Sequence, residues 1–273
     1  MKPSPATPVP YPASAFTLVE LLVVLSIIAV LVGLLLPALG AVRDSGQAAV
    51  CGSNLRQLHL ANETYAVDHE RYVPAASDMS GANLHRWHGV RDSTSDPYDP
   101  SRSDMWDYFR VKEIKLCPTF ENFLESGGAG GAFAAGTGGY GYNQQYVGVR
   151  DPEEPLNLDS QAEGARPAEF NAPAETVAFA DVAMLRIVSG EVQVIEYSFA
   201  HPPFFTGSYG GPADPSIHLR HDGQANAVWL DGHVDRREMS FTRANVYGVS
   251  QAEHERNAVG FFGPNDNSLF DRE

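Results

Sequence analysis

Between Phe16 and Leu36 the chain reads FTLVELLVVLSIIAVLVGLLL, 21 residues in which only Thr17, Glu20 and Ser26 are clearly polar. At about 1.5 Å per helical residue, such a run spans a hydrocarbon core of roughly 30 Å. No other stretch of the 273 residues approaches this apolar length, so the sequence predicts one membrane span followed by a long soluble part. The preceding flank, MKPSPATPVPYPASA, carries only Lys2 as a basic residue, which leaves orientation weakly marked by charge. A secretory signal peptide is the competing reading, with Ala38 and Gly40 as the small residues before a cut. Against it stand the Pro-rich segment ahead of the run and the carboxylate of Glu20 at its head. An ionisable group there costs on the order of 2 to 3 kcal/mol on insertion scales and asks for a partner.

Taken as a unit, SAFTLVELLVVLSIIAVLVGLLLPALGAVRDS closely resembles the prepilin-type cleavage and methylation segment of type IV pilins and type II secretion pseudopilins. The resemblance implies cleavage by a prepilin peptidase between Ala15 and Phe16, N-methylation of Phe16, and retention of the helix as membrane anchor and filament core. It further implies that Glu20, fifth in the mature chain, neutralises the amino group of a neighbouring Phe16. A charge in an apolar bundle is tolerated when paired with an opposite one. Ala15 stands where the family usually has Gly, and the leader lacks the usual basic cluster. Pro37 removes one backbone hydrogen bond and is expected to bend or loosen the helix.

Helical rhythm continues beyond Pro37, with Cys51, Leu55, Leu58, Ala61 or Asn62, and Tyr65 recurring every three or four residues, which extends the helix to about His69. After Arg71 short segments alternate with Gly, Pro, Asp and Ser; SDMWDYFRV is the one later helix candidate. EIKLCP, GYGYNQQYVGV, ETVAFADVAM, EVQVIEYSFA, IHLRH, ANAVWL and HVDRREM read as strands. The expected fold class is therefore α+β, a long N-terminal helix packed on an antiparallel sheet. Its divisions are a leader (1–15), a transmembrane helix (16–36), an amphipathic continuation (37–70) and a β-rich extracytoplasmic domain (71–273). The blocks CGSNLRQLHLANETYAVDHERYVPA, LCP, YGYN, FAD and H-x9-DG occur in the order found in G-type pseudopilin-like proteins. The last is His221, nine residues, then Asp231 and Gly232, within 221–232.

Net charge is −15, from 19 basic and 34 acidic residues, which argues against a nucleic-acid partner. Cys51 and Cys117 are the only cysteines; outside the cytosol they could form one bridge, and buried free thiols are the alternative. In HDGQANAVWLDGH the second Asp-Gly reads as a two-residue type I′ hairpin turn, and Asp222-Gly223 as a turn after HLRH. Asp181, His221, Asp231 and His233 are candidate ligands for zinc or another divalent metal, though their spacing has no specificity alone. The acidic stretches RDSTSDPYDPSRSDMWD and GPNDNSLFDRE are candidates for Ca²⁺, but neither has the EF-hand alternation, so a solvated acidic surface is the default. GTGGYG fits G-x-G-x-x-G without the strand-then-helix context of a dinucleotide site and reads as a flexible loop. Hydrolase motifs are missing.

These readings predict a non-enzymatic, pseudopilin-like structural subunit needing no cofactor, N-in and C-out in the inner membrane. Its expected partners are prepilin peptidase, other pilin or pseudopilin subunits and inner-membrane secretion machinery. A membrane-tethered ligand- or metal-binding domain is the alternative, and a secreted hydrolase a more distant one.

Overall fold

A computed structural model describes residues 17–109, 116–125, 135–207 and 210–273. It divides into two compact units, with the boundary between Arg43 and Asp44. Helix α1 runs Leu18–His69. Its first turn is closed by a capping box. The Glu20 carboxylate accepts from the Thr17 backbone N–H at 2.8 Å and from the Thr17 hydroxyl at 2.7 Å, while the Glu20 N–H donates to Thr17 Oγ1 at 3.3 Å. Ser26 donates its hydroxyl to the Val23 carbonyl, 2.8 Å away. Each polar side chain of the apolar run therefore has an internal partner, which a segment in hydrocarbon requires. From Leu18 to Leu36 the helix is apolar and exposed within its own unit, and by length and composition it can cross a membrane.

In the second unit the character of α1 changes. Ala48, Cys51, Leu55, Leu58, Ala61, Asn62 and Ala66 are buried at three- and four-residue spacing, while Val50, Leu60 and Val67 face outward. Glu70 adopts φ 60°, the left-handed conformation that stops the helix. The buried stripe lies on a four-stranded antiparallel sheet of order β11-β10-β4-β3. It comprises β3 (Tyr140–Tyr142), β4 (Val177–Asp181), β10 (Gln224–Trp229) and β11 (Val234–Glu238). β4 is buried at every position, so it reads as a continuous apolar run and not as an alternation. β11 is the edge, and its run Asp235, Arg236, Arg237, Glu238 is half-buried or exposed, a charged border of the kind that discourages further strand pairing.

Two-stranded ribbons surround this sheet: β1 (His85–Arg86) with β2 (Gly89–Val90), β5 (Met184–Val188) with β6 (Glu191–Ile195), β7 (Phe204–Phe205) with β8 (Gly211–Pro212), and β9 (Ile217–His218) with β12 (Val259–Gly260). Among the described residues the unit also has the short α-helices α2 (Pro118–Glu125), α3 (Leu158–Gln161) and α4 (Gln251–Arg256). Trp87 and Tyr142 converge on Phe179, with Tyr142 stacked at 4.5 Å and Trp87 edge-on at 5.3 Å between ring centroids. Trp87 Nε1 donates to the Ser198 carbonyl at 2.7 Å, so the indole is both buried and satisfied.

Several predicted elements differ. SDMWDYFRV forms one 3₁₀ turn, Trp106–Tyr108, and not an α-helix. The Ser103 hydroxyl donates to the Trp87 carbonyl and accepts from Met105 N–H, a local pattern that competes with helical bonding; Arg110 and Val111 lie outside the described residues. Of EIKLCP, 113–115 also lie outside them, and Pro118 opens α2 in place of ending a strand. GYGYNQQYVGV leaves the sheet after Tyr142, because the Asn143 side chain accepts from Tyr146 N–H and its carbonyl from Val147 and Gly148. The C-terminal stretch is more than a solvated acidic loop. Phe270 is buried, its carbonyl accepts from Asn143 Nδ2 at 2.8 Å, and Val177 N–H donates to the Leu269 carbonyl at 2.8 Å.

Close backbone packing generates a paired test. At Gly164 an added Cβ would lie 2.7 Å from the Tyr72 carbonyl carbon and closer still to its oxygen, whereas at Gly46 on α1 nothing lies within 4 Å. Gly164→Ala is expected to destabilise by about 1–3 kcal/mol. Gly46→Ala should stabilise the exposed helix by about 0.5–1 kcal/mol. Urea denaturation of the two variants beside the parent chain checks both signs.

Candidate functional site

The sequence blocks converge on one buried polar centre between α1, the sheet and α2. Asp181, the last residue of β4, has no exposure and accepts from Arg220 Nη2 at 2.6 Å, from Asn226 N–H at 2.8 Å and from Asn226 Nδ2 at 2.9 Å. His221 Nε2 lies 3.2 Å from its second oxygen. Arg220 also donates to the carbonyls of Gly139 (2.7 Å) and Val182 (3.1 Å), and its Nε to Cys117 Sγ at 3.3 Å. Its guanidinium stacks 4.9 Å above Phe120 of α2. Burial by itself pushes the Asp181 carboxyl up, but Arg220, His221 and the Asn226 N–H outweigh it and hold the group below the ordinary carboxylate range. Nothing in this centre is open to a substrate; its chemistry is that of a satisfied internal ion pair.

A disulfide ties the same region to α1. Cys51 on the helix and Cys117 before α2 are bonded, with Cα atoms 5.3 Å apart and a sequence separation of 66. In the chain-entropy description, closing such a loop contributes about 4 kcal/mol. Two asparagines on the buried stripe add polar ties: Asn54 Nδ2 donates to Tyr140 OH at 2.9 Å and Asn62 Nδ2 to Tyr142 OH at 3.0 Å. Asn226 Nδ2 reaches the Ala48 carbonyl at 3.3 Å.

The four candidate metal ligands do not assemble. His221 joins Asp181 at the start of the β10–β11 hairpin, while Asp231 and His233 sit at its far tip, beyond the six residues of β10, roughly 20 Å of strand. There they pair with each other, His233 Nδ1 2.6 Å from Asp231 Oδ1, both partly exposed. Among the described residues the group of potential ligands within 4.8 Å of one another is Cys51, Cys117 and His221, and both sulfurs are already in the disulfide. The acidic stretches proposed for Ca²⁺ gather no such group among the described residues. Asp92 pairs with Arg102, Asp99 accepts from Ser101, and Asp266 from Ser268.

The two Asp-Gly pairs exchange roles relative to expectation. Asp222 (φ 56°) and Gly223 (φ 75°) are both left-handed, and His221 and Gln224 exchange backbone hydrogen bonds, which is the two-residue type I′ arrangement. At the second pair only Gly232 is left-handed (φ 85°); Gly232 N–H returns to the Trp229 carbonyl and Trp229 N–H to that of His233. This is a three-residue loop, Leu230 to Gly232, and it is imposed from outside the hairpin: Leu230 and Asp231 N–H groups donate to the carbonyls of Thr176 and Pro173.

GTGGYG is an ordered cradle. Gly136 and Gly138 N–H donate to the Glu196 carboxylate at 3.0 and 3.1 Å, and Thr137 Oγ1 approaches it at 3.4 Å. This is an anion nest occupied by the chain's own side chain. Burial raises the Glu196 pKa despite those donors. Arg220, Asn226 and Glu196 carried no motif, but Asn54 and Asn62 had a signal: two amides on an otherwise apolar helical stripe.

Ala15 and Phe16 lie outside the described residues. The segment they belong to is decided by comparison. Residues 12–36 match the prokaryotic N-terminal methylation motif. No curated protein and no solved structure matches the chain. The motif supports a type IV pilin- or pseudopilin-like precursor, implying processing by prepilin peptidase and assembly with other pilin subunits. An N-terminal apolar helix with antiparallel sheets in an α+β chain is consistent with a pilin-like fold.

Replacing Asp181 with Asn strands the buried Arg220 charge, and the expected loss is about 3–5 kcal/mol in urea denaturation. Asp231→Asn at the exposed tip should change stability by less than about 1 kcal/mol. A second expectation concerns pH. Burial lowers the pKa of His59 to about 4, of His88 to about 3 and of His201 to about 4. These imidazoles stay neutral in the fold, so their contribution is complete above the ordinary histidine value of about 6.5 and declines as pH falls toward 4. The decline is about 1.4 kcal/mol per pH unit for each histidine. Urea midpoints measured from pH 7 to pH 4 should fall accordingly, and a flat profile would contradict the assignment.

Proposed function

We propose that this protein is a structural, non-enzymatic pseudopilin-like subunit of a type II secretion or type IV pilus-like assembly. Prepilin peptidase cuts it between Ala15 and Phe16, and Phe16 is then methylated. The chain is held N-in and C-out in the inner membrane, its second unit in the periplasm or on an extracellular filament. The single observation that supports this most is the methylation motif over 12–36. It is joined by an apolar run whose three polar side chains have internal partners.

In this reading assembly proceeds by partner exchange. Before incorporation the Glu20 carboxylate caps its own helix through Thr17. On incorporation it turns to the amine of a neighbouring Phe16, exchanging neutral donors for an opposite charge in a medium where that charge is worth more. Inner-membrane secretion machinery would then receive the subunit by its helix, and the net charge of −15 keeps the outer surfaces from adhering without specificity.

The N-terminal mass of the protein extracted from membranes tests processing. A chain beginning at methylated Phe16 is expected; a start near Ala41 would make the run a signal peptide and end the proposal. Glu20→Ala should remain in the membrane fraction and lose filament incorporation, read by co-purification with assembled subunits, and undiminished incorporation would remove Glu20 from the mechanism.

A further inference from the structure

A cavity of about 530 Å³ opens in the second unit, away from the Asp181 centre. Its size is in the range of sites for small organic ligands. Arg86, the second residue of β1, lines it and is only 4% exposed. The guanidinium donates Nη1 to the His85 carbonyl at 2.9 Å and Nη2 to Asn83 Oδ1, and lies 5.3 Å over the Phe199 ring. Among the described residues no carboxylate comes within 4.0 Å of it. The buried Arg220, by contrast, is paired with Asp181. A guanidinium has five N–H donors, and a buried one without a counter-ion is destabilising unless something supplies the charge.

The remaining polar groups of the cavity are complementary to Arg86 in kind. Gln144 and Gln145 are buried and use their amide nitrogens, toward Met79 Sδ at 3.4 Å and toward the Pro152 carbonyl and Thr206 Oγ1, while their side-chain oxygens have no partner among the described residues. Asp214 has one oxygen on Val246 N–H at 2.9 Å and the other without a partner among the described residues. The three residues that carry these acceptors therefore line a space whose wall also includes Phe199 and Phe205. A ligand that matches must bring an anionic group for Arg86, several O–H donors for the amide and carboxylate oxygens, and a flat apolar face for the rings. A sugar ring bearing a carboxylate has all three, since its hydroxyls lie around the rim and its C–H groups on the faces.

We propose that this cavity binds an acidic saccharide, its carboxylate on Arg86, its hydroxyls on Gln144, Gln145 and Asp214, and a ring face against Phe205. The site is independent of the N-terminal segment and adds a ligand-binding role to a structural subunit.

Calorimetric titration of the full chain in detergent with digalacturonate, at low salt, tests it. Saturable binding is expected, at least tenfold tighter than for the neutral disaccharide maltose and for the non-sugar dicarboxylate glutarate. Arg86→Gln should weaken digalacturonate at least tenfold and leave the weak maltose signal unchanged. Because Arg86 is buried, Gln144→Leu serves as the second variant; it removes one acceptor at similar volume and should weaken binding about three- to tenfold with an unchanged melting temperature. Absence of digalacturonate binding at millimolar concentration overturns the proposal. So does equal binding of maltose or glutarate, or unaltered affinity in folded Gln144→Leu and Arg86→Gln.

Discussion

A fully buried ion pair, Asp181 with Arg220, is the contact on which the second unit of this protein turns. Arg220 reaches from the end of β9 to the carbonyls of Gly139 and Val182, the sulfur of Cys117 and the ring of Phe120. Asp181 gathers Arg220, His221 and Asn226, so the turn that opens the β10–β11 hairpin and the start of β10 are fixed against one carboxylate of β4. Two hydrophobic residues in their place would be no less stable in principle. What the charges add is uniqueness of arrangement: each alternative packing of β3, β4 and β10 leaves an ion in an apolar interior without its partners.

Around that pair the covalent and the non-covalent ties run in the same direction. The disulfide from Cys51 binds α1 to the segment that opens α2, and the amides of Asn54 and Asn62 and the Ala48 carbonyl bind it to Tyr140, Tyr142 and Asn226 of the sheet. The helix stripe is therefore more than an apolar surface laid on another. Its polar members set rotation and register, which apolar packing alone specifies poorly.

Much of this was legible in the order of residues, and the reasons are specific. The apolar run is legible because length and composition alone distinguish a span, and the 3–4 spacing from Cys51 onward because burial repeats with the helical turn. Strands β4, β6 and β10 are visible through β-branched and aromatic content, and β11 through its place after the Asp-Gly turn. Local side-chain competition was not: Ser103 and Asn143 divert backbone donors, and nothing in propensity weighs that against a helix or a longer strand. The hairpin tip departs from its local signal for a different reason, since Thr176 and Pro173, far away in sequence, decide where its turn falls. Asp181 and His221 do meet, but in the company of Arg220 and Asn226 and not of Asp231 and His233. Spacing in sequence cannot say that nine residues carry a chain to the other end of a strand, nor that Arg220, beside the histidine, is the partner.

The C-terminal stretch ties the timing of biogenesis to the architecture. Leu269 and Phe270 supply carbonyls to Val177 and Asn143, the latter across 127 positions of sequence, and Arg272 donates to the carbonyls of Tyr146 and Val149. These are among the longest loops the unit must close, and closing them carries an entropic penalty before any contact rewards it. During synthesis the apolar helix emerges first and can enter the bilayer while the sheet is still incomplete. The contacts made by residues 269–272 can form only once those residues have left the ribosome, so the second unit closes late at this point. The order of synthesis thus separates the two units in time: the apolar helix is complete well before the sheet has all its partners.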